Sequence, residues 1–209
     1  DAGTVAQAID DAYFYGKKVT NKLEVLAIHG GKSKDKTGQE IKNAKLSHPD
    51  LIILDKTRNK ESYAVIKHGF IHASKDWVFY TDGDLQYHLD ELEKLVNKQL
   101  KTGAGVVNGY QTRRSDNIIR QVLGKGYKSF SRRLFNLPIR DTDCDFRLIK
   151  RSFLDQITWE SHNASILPEL VKKLELNGAR FSEVPVNHYS RVYGKSNYTP
   201  LSLLKEKII

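Results

Sequence analysis

Four short apolar runs recur along the chain: Val25-Leu26-Ala27-Ile28, Leu51-Ile52-Ile53-Leu54, Trp77-Val78-Phe79-Tyr80 and Val106-Val107. Helix-length segments separate them, and this rhythm constrains the fold more than any other feature. Runs this short suit strands covered on both faces better than they suit buried helices. The segments between them, at 4–16, from 36 to about 46, at 60–73 and at 88–100, carry apolar residues at helical spacing. Val65, Ile66, Phe70 and Ile71 share one face, as do Leu89, Leu92, Leu95, Val96 and Leu100. Strand alternating with helix predicts an α/β fold, a mostly parallel sheet with helices on both faces. In such sheets ligands sit beyond the carboxyl ends of the strands. The second half is less regular. It predicts a long basic helix over about 115–135, a strand near Phe146–Ile149, a helix at 166–176 and a strand through Phe181–Val186. No repeat or low-complexity linker divides the 209 residues, so one domain is expected over 1–209.

Composition excludes several alternatives. At 39% hydrophobic and 28% charged residues, the chain can bury a core and is not disordered throughout. A single cysteine, Cys144, excludes an internal disulfide framework and a cysteine-based zinc finger. No apolar run reaches the ~20 residues of a membrane span. The net charge of +9 is uneven. Between Arg113 and Arg140 lie Arg113, Arg114, Arg120, Lys125, Lys128, Arg132, Arg133 and Arg140, against one acid, Asp116, so this stretch alone carries 8 − 1 = +7. Such a run suits phosphates, an anionic membrane or nucleic acid, or simply a solvated face. An RNP-like aromatic motif and zinc spacing are both lacking, which sets nucleic acid aside.

The chemistry concentrates after the third run. Asp82-Gly83-Asp84 places two carboxylates, two residues apart, at a strand end. Hard oxygen ligands of this kind suit Mg²⁺ or Mn²⁺, which bridge nucleotide phosphates. Asp and Gly are also ordinary turn residues, so the tripeptide by itself is a weak signal.

The segment from Asp76 to Tyr87 resembles the metal-binding strand of family 2 glycosyltransferases, and is most similar to the dolichol-phosphate mannose synthase branch and its bacterial relatives. Ser33-Lys34-Asp35-Lys36-Thr37 resembles the end of that family's DDGSxDxT loop. Arg58-Asn59 resembles the start of RNxGxGxA. Arg140-Asp141-Thr142-Asp143-Cys144-Asp145-Phe146-Arg147-Leu148 resembles RDxxCxFKL, and Glu183-Val184-Pro185-Val186-Asn187-His188-Tyr189 with Arg191, Gly194, Lys195 and Ser196 resembles EVPVxHxxRxxGxS. The motifs stand in the family's order across nearly the whole chain.

The resemblance implies a GT-A fold and metal-dependent transfer of sugar, with inversion, from a UDP- or GDP-sugar to a polyprenyl or dolichyl phosphate at the cytoplasmic face of a membrane. It implies that Asp82 and Asp84 hold the cation, and that Ser33, Asp35, Asn59, Gln86, Arg191, Lys195 and Ser196 join Asp82 around the donor. Asp141 would orient the acceptor or act as base, and Arg147 would clamp phosphate, since guanidinium matches two phosphate oxygens. Arg113, Arg114, Arg120 and Lys128 would meet the acceptor phosphate and the anionic membrane surface. Arg120, Gly124 and Lys128 are four apart and share one helix side. The family's opening strand, reading like IPAYNE, would precede Asp1, and membrane helices follow the matching region in many relatives. The resemblance thus implies a chain trimmed at both ends.

Departures keep a second reading open. Ile28-His29-Gly30-Gly31-Lys32-Ser33 lacks the acidic residues of the nucleotide loop, and Glu61 and Tyr63 stand where glycines are expected. A degenerate homologue that binds nucleotide or lipid without catalysis is the alternative. His29 and Cys144 read as structural.

Overall fold

A computed structural model describes residues 1–30, 35–55, 64–112, 132–161 and 165–194. The chain runs α1 (Val5–Val19), β1 (Leu26–His29), α2 (Thr37–Ser47), β2 (Ile52–Asp55), α3 (Ala64–His72), β3 (Trp77–Thr81), a 3₁₀ turn (Leu89–Glu91), α4 (Leu92–Thr102), β4 (Val106–Gln111), β5 (Phe146–Lys150), α5 (Arg151–Leu154), α6 (Ile166–Leu176) and β6 (Phe181–Val186). Trp77–Tyr80 and Val106-Val107 lie within strands, and β1 and β2 each begin one residue into their run. Helix α1 buries Val5, Ile9, Tyr13 and Gly16, one stripe at helical spacing. Helix α4 buries Leu92 and Leu95 and stops at Gly103, whose φ of 62° gives the left-handed cap. Of the basic helix predicted over about 115–135, residues 115–131 lie outside the described residues, and 132–134 are helical.

Strands β1 and β2 pair in parallel. The larger sheet has the order β3-β5-β4-β6. Here the mostly parallel expectation is refined. Strand β5 is antiparallel to β3 and to β4, while β4 and β6 are parallel. Strands β3, β4 and β6 therefore point one way, and β5 enters between β3 and β4 from the opposite end. The carboxyl ends of three strands and the amino end of β5 share one edge of the sheet.

The core lies on both faces of this sheet. Tyr87, Leu95, Val107, Cys144, Phe146 and Val186 cluster on one side, and Phe70, Val106, Ile149, Leu170 and Leu174 on the other. Gly109 in β4 is required by close packing. A Cβ there would meet the Phe146 carbonyl oxygen at 2.9 Å, Val186 Cγ2 at 2.9 Å and Cys144 Sγ at 3.1 Å. Among the described residues, no helix is long and apolar enough to cross a membrane.

Candidate active site

The shared sheet edge gathers the motif loops. Strand β3 ends at Thr81, opposite Phe146, the first residue of β5. One step further along the register come Asp82 and Asp145, so two carboxylates face each other across the strand ends. Like charges placed this way repel. Asp145 is raised well above the usual carboxylate range by burial and by the charge of Asp82, against the pull of Arg147. Asp82 rises too, through burial and then Asp84, with Arg191 opposing. Asp82 is nevertheless an exposed residue, at the mouth of the strand end.

Asp84 is buried and turned by its own loop. Leu85 adopts φ 59°, an unusual conformation for a branched side chain, and Asp84 Oδ1 accepts the Gln86 N–H at 3.0 Å. Arg191 Nη2 donates to Asp84 Oδ2 at 2.6 Å, and Arg191 Nη1 to Asp1 Oδ1 at 3.0 Å. Thr4 Oγ1, at the start of α1, donates to the Gly83 carbonyl at 2.9 Å.

The loop after β6 is stitched to the loop after β3. Tyr189 N–H donates to the Gln86 carbonyl at 2.8 Å, and Gln86 Nε2 donates to the Tyr189 carbonyl at 3.1 Å. His88 and Tyr189 stack with ring centroids 3.9 Å apart, and Asn187 Nδ2 donates to buried Glu91 at 2.7 Å. Gln86 thus ties the two loops together through both its backbone and its side chain.

The acidic loop before β5 is held from beneath. Asp141 is buried, its Oδ1 accepts the Asp143 N–H at 3.1 Å, and its carbonyl accepts from Asn108 Nδ2 at 3.0 Å. Arg147 is fully buried, with Nε donating to Asn108 Oδ1 at 2.5 Å and Nη2 to the Thr142 carbonyl at 3.2 Å. Its guanidinium lies 5.7 Å from the Tyr80 ring centroid. In this arrangement Arg147 supports the loop that carries Asp141 and does not face open solvent as a phosphate clamp would. Sequence reasoning missed Asn108. A polar residue directly after buried Val106 and Val107 was the available signal.

Asp35 caps α2. Its Oδ1 accepts from Thr37 N and Oγ1 at 3.1 and 2.6 Å, and its Oδ2 accepts the Ala2 N–H at 3.3 Å. With Ala2, Gly3, Lys36, Glu40 and Tyr193 it lines an open cavity of about 410 Å³. Asp1, next to Ala2, links that cavity to Arg191 and the Asp84 loop. Ser33, Asn59, Lys195, Ser196, Arg113, Arg114, Arg120 and Lys128 lie outside the described residues. Arg140, the last of the basic stretch, stacks on Tyr110 at 4.8 Å and pairs with Glu183. His29 sits against Asp55 across the β1–β2 register. Cys144 is buried beside Tyr87, and burial pushes its thiol up to about 12, which makes it unreactive.

The donor set fits a divalent cation. Asp84 Oδ2 already holds a guanidinium, so the site is built to receive positive charge. No three His, Cys, Asp or Glu side chains among the described residues close a coordination sphere by themselves. Asp82 and Asp84 are the residues that would hold such an ion.

Known structures share this architecture. Glucosyl-3-phosphoglycerate synthase from Mycobacterium tuberculosis, in complex with phosphoglyceric acid, aligns with a TM-score of 0.68 at 15% identity, over 97% of this chain and 70% of that one. A mannosyltransferase from Pyrobaculum calidifontis, in complex with GDP-Man and Mn²⁺, aligns with a TM-score of 0.61 at 20% identity, over 88% and 52%. The fold is therefore GT-A, as the sequence predicts. In sequence, the undecaprenyl-phosphate 4-deoxy-4-formamido-L-arabinose transferase of Salmonella choleraesuis (strain SC-B67) is 27% identical over 188 residues, 90% of this chain and 56% of that protein. The protein of the same name from Salmonella newport (strain SL254) is 27% identical over 181 residues, 87% and 54%. The chain spans about half the length of the curated relatives it matches. The family model for Glycosyl transferase family 2 matches residues 9–158, a stretch that holds both acidic loops at the sheet edge, and the chain belongs to that family.

Proposed function

We propose that this domain transfers a sugar, with inversion, from a nucleotide-sugar to a polyprenyl phosphate. The observation that carries the reading is the convergence of Asp82, Asp84, Asp141 and Arg191 on one sheet edge, beside a cavity lined by the Asp35 loop. The names of the similar Salmonella transferases supply the acceptor class. The mannosyltransferase with GDP-Man and Mn²⁺, and the Mycobacterium synthase with Mn²⁺ and UDP, supply the donor class and the ion.

Asp82 and Asp84 would hold Mg²⁺ or Mn²⁺, whose charge stabilises the departing diphosphate. Arg191 would grip the same diphosphate. An acceptor phosphate oxygen attacks the anomeric carbon from the face opposite the leaving group. The bond from that carbon to the diphosphate breaks, and the nucleoside diphosphate departs. A phosphomonoester with a second pKa near ~6 is already ionised at pH 7, so it needs no base. Asp141 then positions the acceptor, and Arg147 and Asn108 fix Asp141. Arg113, Arg114, Arg120 and Lys128 are assigned to the acceptor phosphate and to an anionic membrane surface, where each basic residue is worth ~1 kcal/mol. This reading places the domain at the cytoplasmic face of a membrane.

The test is transfer by the full-length protein in undecaprenyl-phosphate vesicles, with Mn²⁺ or Mg²⁺ and a panel of UDP- and GDP-sugars. Product formation that Asp84→Asn abolishes is the expected result. Metal-dependent nucleotide binding without transfer or hydrolysis from any donor would instead establish the non-catalytic homologue.

A further inference from the structure

We propose that Arg191 is the resident counter-cation of Asp84, which the divalent ion displaces and thereby delivers to the donor diphosphate. The inference rests on the metal site proposed above and concerns the order in which that site is assembled.

An ion that binds Asp84 would meet a guanidinium already seated there. Asp84 Oδ1 is occupied by the Gln86 N–H at 3.0 Å. Oδ2 is the remaining oxygen, and Arg191 Nη2 sits 2.6 Å from it. With the guanidinium in place the Asp84 side chain is only 5% exposed, so Arg191 is its charged partner in a nearly closed setting. A hard cation at Oδ2 would approach to about 2.0–2.1 Å for Mg²⁺, closer than the guanidinium nitrogen now stands. Two cations crowded onto one buried carboxylate oxygen repel strongly, so ion and guanidinium exclude each other there.

The arm is built to leave without unfolding its loop. Tyr189 is pinned through its N–H and carbonyl to Gln86 and through its ring to His88. Arg191 lies two residues beyond that anchor, and the backbone then reaches Gly194 at φ 75°, a conformation that favours glycine. Arg191 is 28% exposed, so it has solvent on one side to swing into. Its second contact, to Asp1 at 3.0 Å, is with a side chain 44% exposed, a weak tether. Once released, the guanidinium is a free two-pronged anion ligand within reach of the cation. Metal and diphosphate therefore bind cooperatively: the ion frees the arm, and the diphosphate rewards the freed arm.

The experiment is Mn²⁺ titration of the nucleotide-free protein, with free ion followed by its electron paramagnetic resonance signal, in wild type, Arg191→Gln and Asp84→Asn. Arg191→Gln is expected to bind Mn²⁺ roughly tenfold more tightly than wild type, within the ordinary range of coupling between linked sites. Inorganic pyrophosphate should tighten Mn²⁺ binding strongly in wild type and much less in Arg191→Gln. Binding to Arg191→Gln alone, with none to wild type, is the extreme form of the same result. Equal or weaker Mn²⁺ binding by Arg191→Gln overturns the inference and leaves the metal site standing. Absence of Mn²⁺ binding in every variant overturns the metal reading and this inference together. Unchanged binding by Asp84→Asn shows that the ion sits elsewhere and overturns both. A second readout separates displacement from a general change in charge. In arginine-¹⁵N-labelled protein, saturating Mg²⁺ should shift and broaden the Arg191 Nε–H resonance, assigned by its loss in Arg191→Gln. An unmoved resonance with Mg²⁺ bound refutes displacement.

Discussion

Removing one partner of the Asn108–Arg147 pair should cost more than replacing both. The two residues face each other in the β4–β5 register, and both are fully buried. Asn108→Leu removes the Arg147 Nε bond at 2.5 Å and the bond to the Asp141 carbonyl at 3.0 Å. A hydrogen bond to a charged group is worth about 1.5–3 kcal/mol and a neutral one about 1 kcal/mol. The larger penalty is the buried guanidinium left short of a partner, which brings the expected loss to about 3–5 kcal/mol. Arg147→Met alone leaves Asn108 Oδ1 and the Thr142 carbonyl unpaired and costs about 1–3 kcal/mol for each group left unsatisfied. The double variant leaves no buried charge unpaired but still leaves the Asp141 and Thr142 carbonyls without these donors, so it should lose about 2–4 kcal/mol, well short of the sum of the single losses. Urea unfolding followed by the fluorescence of Trp77 and Trp159, with the slope checked for constancy, gives the cycle. A double variant that loses the sum of the single losses would refute the reasoning, because the two residues would then act independently. The double variant should still lose transfer activity, since the Asp141 loop has lost its support from beneath.

Three further outcomes are expected. Burial disfavours ionisation of Glu169, but hydrogen bonds from Lys173, Glu160 N and Ser161 N outweigh it and hold the carboxyl at about 2 against 4.5. The folded-state pKa is depressed, so its stabilisation is present above pH 4.5 and is lost as pH falls toward 2. At about 1.36 kcal/mol per unit, discounted for solvent screening at a partly exposed network, this amounts to roughly 1–2 kcal/mol, and a Glu169→Gln variant whose unfolding free energy falls as steeply as wild type between pH 5 and 2 would contradict it. Gly109→Ala forces a Cβ to 2.9 Å from the Phe146 carbonyl oxygen and should cost about 1–3 kcal/mol in chemical denaturation, and a neutral result would mean that the strands separate freely there. The Cys144 thiol, raised to about 12 by burial, should resist a thiol-specific disulfide reagent at pH 8 until urea unfolds the chain, and prompt reaction of native protein would disprove its burial.

The strands were legible because each is a short apolar run between helical stripes, and that signal is local. The direction of β5 was not. Residues 112–145 lie between β4 and β5, and a connection that long permits either orientation. The Asp82-Gly83-Asp84 loop was legible because both carboxylates sit on one turn. Its partner Arg191 was assigned to the donor, but the contact with Asp84 spans 107 residues and only the fold makes it. Arg140 shows the limit of counting charge: one of eight basic residues in its stretch, it is tied to Glu183 and Tyr110. The register adds what the motif alone does not contain. Placing β5 antiparallel beside β3 brings Asp145 opposite Asp82, with Asp84 two residues on, so three acidic side chains crowd one strand end. Like charges opposed across strands destabilise a sheet. Burial raises the Asp82 and Asp145 carboxyls first and the neighbouring carboxylate second, while Arg191 pulls Asp82 down and Arg147 pulls Asp145 down. The strand pairing therefore adds Asp145 to the two aspartates of the motif, a neighbour that the local sequence does not reveal.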